Sequence, residues 1–105
     1  MLTAVKPWLE TTLMKVAEEM FKIPPALPYI VFREQVDTGG SDYQNGIATR
    51  SVSVEMYSAV IDRTSEQKIE TLLNNAAIAY SKSRIWIPTE SFFQTMFDFE
   101  LVEKT

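Results

Sequence analysis

Ser51-Val52-Ser53-Val54-Glu55-Met56-Tyr57-Ser58 alternates apolar side chains with small or polar ones. Side chains of a strand point to opposite faces in turn, so Val52, Val54 and Met56 share one face. Ser51, Ser53, Glu55 and Tyr57 share the other. The stretch therefore predicts a half-buried strand over 47–58, and the rest of the chain is organised around it.

Upstream, Tyr29-Ile30-Val31-Phe32-Arg33-Glu34-Gln35-Val36-Asp37 is rich in β-branched and aromatic residues and predicts a second strand. Between the two lies Thr38-Gly39-Gly40-Ser41-Asp42-Tyr43-Gln44-Asn45-Gly46, which holds all three glycines of the chain. Gly-Gly and Asn-Gly favour turns, so 38–46 is expected to be a long mobile loop or hairpin tip. Gly39-Gly40 is not a phosphate loop, because no lysine follows and the next element is a strand rather than a helix.

Downstream, Ile69, Leu72, Leu73, Ala76 and Ala77 recur at helical spacing and predict a helix over 65–78. Thr64 and Gln67 stand at capping-box spacing, with Asp62 and Glu66 near the same end. The remaining residues read as a hairpin, 79–87 and 92–102, around Pro88-Thr89-Glu90-Ser91. Phe93, Phe97, Phe99 and Leu101 share its buried face. In the expected register Trp86, Phe92 and Met96 fall on the opposite face, and Lys82 and Arg84 lie beside Asp98 and Glu100. At the other end of the chain, Leu9, Leu13, Val16, Ala17, Met20 and Phe21 predict an amphipathic helix over 8–21, with Pro7 suited to its first turn. Pro24, Pro25 and Pro28 forbid its continuation.

The expected fold is thus α+β, a single domain over 1–105. Two helices pack on one face of a mostly antiparallel four-stranded sheet, in the order α-β-β-α-β-β. No internal repeat or low-complexity tract interrupts it.

Composition narrows the function. The chain has 105 residues, no cysteine and no histidine. Thiolate chemistry, disulfides and zinc–thiolate sites are excluded, and so is the commonest general base and metal ligand. The acids Asp37, Asp42, Glu55 and Asp62 match no calcium-loop spacing and read as surface carboxylates. No cofactor, metal site or catalytic residue is expected. Net charge is −4, and no segment is basic, which argues against nucleic-acid binding. Apolar runs are too short for a membrane span, and Met1-Leu2-Thr3-Ala4-Val5-Lys6-Pro7 lacks the basic-then-apolar layout of a signal peptide. What remains is binding. Tyr43 and Arg50, in and beside the glycine-rich loop, are residue types favoured as interface anchors. Trp86, Phe92 and Met96 are candidates for an apolar contact surface.

The ordered motifs also resemble a known family. Leu27-Pro28-Tyr29-Ile30-Val31-Phe32 is similar to its first strand, and Ser51 to Ser58 to its next. Glu66-Gln67-Lys68-Ile69-Glu70-Thr71-Leu72-Leu73 is similar to its following helix. Ile85-Trp86-Ile87-Pro88-Thr89-Glu90 and Gln94-Thr95-Met96-Phe97-Asp98-Phe99-Glu100-Leu101 resemble its closing hairpin. The family is the tail-completion proteins of long-tailed bacteriophages and prophages, the tail-terminator or tail-to-head joining group. The resemblance implies a non-enzymatic structural subunit of the virion. It forms a homo-oligomeric ring, typically of six, between the tail tube and the head-connector proteins. It implies assembly in the host cytoplasm and residence in the tail or neck. Residues 1–26 lie outside the resemblance. The alternatives are a small non-enzymatic adaptor or regulatory module and, more weakly, a carboxylate-dependent enzyme.

Overall fold

A computed structural model describes residues 4–37 and 47–104. The expected mobile loop, 38–46, lies outside them. In chain order the elements are α1 (Val5–Glu10), β1 (Lys15–Glu18), β2 (Tyr29–Asp37), β3 (Ile47–Ser58), α2 (Arg63–Asn75), β4 (Tyr80–Ile87) and β5 (Phe92–Lys104). The fold is α+β, but the sheet has five strands, ordered β1-β2-β3-β5-β4. β1 runs parallel to β2, and every other neighbouring pair is antiparallel. β1, β2 and β5 therefore run one way, and β3 and β4 run the other.

The fifth strand comes from the segment expected to be a helix over 8–21. The helix stops at Glu10 because two threonines take over its last carbonyls. The Thr11 hydroxyl donates to the Trp8 carbonyl at 2.6 Å, and that of Thr12 to Leu9 at 2.7 Å. Such side-chain bonds compete with continued helix. Leu13 then adopts φ 70° and points outward. From here Thr12, Met14 and Val16 are buried at every second position, a strand's period. The helical spacing of Leu9, Leu13 and Val16 was a coincidence within a short apolar run.

One face of the sheet carries the core. Val16, Ile30, Phe32, Val52, Val54, Met56, Phe97 and Phe99 meet Val5 and Leu9 of α1 and Ile69 and Leu73 of α2 in one cluster. The alternation read in β3 is confirmed, as Val52, Val54 and Met56 are all buried. So is the facing of Phe97 and Phe99.

α2 starts two residues earlier than expected, and its cap differs. Asp62 accepts from the Ser65 amide at 3.0 Å and from the Ser65 hydroxyl at 2.8 Å. Thr64 and Gln67 are exposed and take no part. The helix also ends early, at Asn75, so Ala76 and Ala77 are exposed rather than on the apolar stripe. Ala77 takes φ 57°, and the Ile78 amide closes back on the Leu73 carbonyl at 2.9 Å. That closure is the one glycine normally provides, because a Cβ is strained in left-handed backbone. Ala77→Gly should therefore stabilise the fold by about 1 kcal/mol. Urea denaturation would check this by a higher midpoint at unchanged slope.

The hairpin has the expected turn but the opposite facing of β4. Ile87 pairs with Phe92, so Trp86 pairs with Phe93, Arg84 with Thr95 and Lys82 with Phe97. Directly paired residues share a face. Lys82, Arg84 and Trp86 therefore lie on the phenylalanine side, and Ile85 and Ile87 lie on the other. The expected pairing of Lys82 and Arg84 with Asp98 and Glu100 does not form, and Asp98 pairs with Ser81 instead. A four-residue turn joins residues whose numbers differ by an odd amount, which brings even positions of β4 beside odd positions of β5.

Candidate assembly surface

Three regions of the surface have chemistry beyond ordinary solvation. The first is the contact between α2 and β4. Glu66, on the first turn of α2, is fully buried. Arg84 grips its carboxylate with two bonds, Nε to Oε2 at 2.8 Å and Nη2 to Oε1 at 2.7 Å. Lys82 approaches Oε1 at 2.9 Å, and the Thr95 hydroxyl donates to Oε2 at 3.1 Å. Glu70 extends the group, accepting from the Tyr80 hydroxyl at 2.9 Å and from Lys82 at 3.2 Å. Burial alone pushes the Glu66 carboxyl up. The bonds from Arg84, Lys82 and Thr95 outweigh it and hold the group down at about 2. This cluster fastens the edge strand to the helix, and it explains where the two cations of β4 go.

The second region is the open face of the sheet, away from the helices. Tyr29 of β2, Tyr57 of β3 and Phe92 of β5 form a row, with ring centroids 5.2 and 4.9 Å apart. Phe21, on the connection from β1 to β2, meets Tyr29 edge-on at 5.4 Å. Together with Pro24, Pro25 and Leu27 they line an open cleft of about 580 Å³. The Tyr57 hydroxyl donates to Glu55 at 2.9 Å and accepts from Gln94 at 3.1 Å. Burial and the Glu55 bond push the phenol up to about 12, so it stays protonated. Arg33 lies 3.9 Å from Glu55 and 3.7 Å from Glu19.

The third region is the two edges of the sheet. Among the described residues β4 is bonded on one side only, to β5, and β1 on one side only, to β2. Ile85 is 54% exposed and Trp86 46% exposed, one on each face of β4. Leu13, Met20 and Ile23, which adjoin β1 in the chain, are also exposed. Among the described residues Val60 and Ile61 are the large exposed apolar groups away from the edges, with Leu27 at the cleft.

Of the five residues expected at an interface, the four that are described are not brought together. Tyr43 lies outside the described residues. Arg50 is buried and ion-paired with Glu34 of β2, so it bridges two strands. Phe92 and Met96 are half-buried on the open face, Phe92 in the aromatic cleft and Met96 opposite Glu55 in the register. Trp86 lies on the other face, 4.8 Å from Phe93. Sequence reasoning missed Ile85, which is the more exposed of the two β4 apolar groups. Its signal was present in the parity of the turn. Of the acids singled out, Glu55 bonds to Tyr57 and Asp62 caps α2. Among the described residues no three acidic side chains converge as a metal site would require.

The chain matches no protein-family model, and no curated protein is detectably similar to it.

Proposed function

We propose that this chain is a non-catalytic structural subunit that associates with copies of itself through its sheet edges. The resemblance of its strand motifs extends the reading to a ring, typically of six, that completes the tail of a long-tailed phage or prophage. Its partners are then itself, the tail-tube protein and the head connector, within the tail or neck of the virion. The reading needs no cofactor and no nucleic-acid contact, in keeping with a net charge of −4.

The observation that carries it is β4. An eight-residue edge strand that no described residue pairs on one side, with exposed apolar groups on both faces, is a template for another strand. Monomeric proteins usually blunt such an edge with outward charge, but both cations of β4 are drawn onto Glu66 and Glu70. The titratable groups fit a non-catalytic role. Among the described residues Tyr29, Tyr57, Glu66, Tyr80, Lys82 and Arg84 depart from their ordinary pKa, and all move away from neutrality. A general acid or base would be moved toward it.

The aromatic cleft favours a second reading, an adaptor that holds an apolar segment of a partner on its open face, since its volume suits such a ligand. Ile85→Lys distinguishes the two. A charge at the edge should abolish self-association in sedimentation velocity. It should leave the monomer's stability within about 0.5 kcal/mol, because the site is exposed. If the variant assembles as the wild type does, β4 is not the seam.

A further inference from the structure

We propose that β4 of one copy pairs antiparallel with β1 of the next. In the proposed register Ile87, Trp86, Ile85 and Arg84 stand opposite the neighbouring copy's Lys15, Val16, Ala17 and Glu18. The inference rests on the assembly reading above and specifies its seam. Four observations converge on it.

Strand direction comes first. β1 runs with β2 and β5, whereas β4 runs against them. Placing a second copy beside the first, with the same face of the sheet kept on the same side, sets its β1 antiparallel to β4. The sheet then continues from copy to copy in its prevailing pairing mode. The contact is head-to-tail, so it repeats around a ring, whereas a β4–β4 contact stops at a dimer.

Hydrogen-bonding capacity agrees. Each strand has a ladder on one side, and among the described residues no further backbone bond joins Lys15, Val16 or Ala17 to another element.

The side chains then choose the register. Val16 lies on the core face and Ala17 on the open face, as their partners Ile30 and Val31 show. Keeping faces matched puts Val16 beside Trp86 and Ala17 beside Ile85, covering both exposed apolar groups of β4. Glu18, exposed, comes beside Arg84. Arg84 uses Nε and Nη2 on Glu66, which leaves Nη1 with donors for a second carboxylate. A shift of two residues places Val16 beside Arg84 and Lys15 beside Ile85 and leaves Trp86 uncovered. The opposite shift runs past β4 into Pro88. A shift of one turns every side chain to the wrong face.

Charge argues against the two-fold alternative. A β4–β4 seam gathers Lys82 and Arg84 of both copies on one face and β4 supplies no carboxylate, whereas β1 brings Glu18 to Arg84.

The chain has no cysteine, so an introduced pair reports without background. Residues directly opposite in an antiparallel pair have Cβ atoms about 4.5–5.5 Å apart, within small adjustment of a disulfide. Ala17→Cys combined with Ile85→Cys should, on mild oxidation, give a ladder on a non-reducing gel up to the full ring, collapsed by reductant. Ile85→Cys alone should stay monomeric on the gel. Ala17→Cys with Ser83→Cys, two residues out of register, should cross-link several-fold less. Dimers from Ile85→Cys alone, at the yield of the pair, would overturn the proposal in favour of a two-fold seam. A double variant that sediments as an oligomer yet does not cross-link would overturn the seam and leave the assembly reading standing. A wild-type chain that is monomeric at every concentration would remove both.

Discussion

Phe97→Ala should lower the melting temperature by roughly 15–20 °C, the effect expected of a loss of about 4 kcal/mol in a domain of this size. Phe97 sits at the centre of β5, paired with Val54 on one side and Lys82 on the other, and none of its surface reaches water. Its ring lies 6.1 Å from that of Tyr80, and the Lys82 ammonium is 5.9 Å from its centroid. Truncation removes the largest fully buried side chain at the place where β3, β5 and β4 meet α2. The cavity is lined by side chains whose strands are held in their ladders, so it closes only in part. Single domains are stable by only about 5–15 kcal/mol, so the loss is a large fraction of the whole. Thermal unfolding followed by circular dichroism is sufficient. An unchanged melting temperature contradicts the packing described for β5.

Glu66→Gln should cost about 2–4 kcal/mol at neutral pH, because it removes one member of a buried ion cluster and leaves Arg84 and Lys82 without their shared anion. The two cations keep some contact with water, 22% and 29% of their side chains, which places the cost below that of a fully sealed pair. The pH dependence identifies the group. The folded Glu66 carboxyl titrates at about 2 against an ordinary 4.5, so folding favours its ionised form. Its contribution is complete above pH 4.5 and disappears as the pH falls from 4.5 to about 2. The shift corresponds to about 3 kcal/mol. Urea midpoints of wild type and variant should therefore lie far apart at pH 7 and converge by pH 2. A gap that persists unchanged into acid would show that the carboxylate's charge is not what holds α2 to β4.

Those two residues also mark what the sequence revealed. Phe97 was legible, because alternation with Phe93, Phe99 and Leu101 assigns its face without tertiary information. The same reasoning located β2 and β3 to the residue, since both have strict strand composition and sharp flanks. Glu66 was read only as a helix-terminal acid. Its burial depends on the facing of β4, which rests on whether the turn places even residues against odd ones. The burial of Arg50 against Glu34 was illegible for a related reason. Nothing local reveals that Glu34, sixteen residues away, lies beside it across two strands. The N-terminal segment failed because a helical period fits Leu9, Leu13 and Val16 while a strand period fits Thr12, Met14 and Val16. The choice is made by tertiary pairing with β2 and by two threonine hydroxyls. The edges were the least legible of all, because exposure of Ile85 follows from what β4 does not pair with.

The edges support the functional proposal, and they also offer its most direct test. Amide hydrogen exchange, read by mass spectrometry across a concentration series, reports on β4 and β1 in the assembling protein itself. Residues 84–87 and 15–18, which face each other in the proposed register, should gain protection as concentration rises, in step with the oligomer's mass. β2, β3 and β5, already paired on both sides, should change little. Exchange at both edges that stays constant while the mass increases would contradict assembly through the sheet edges.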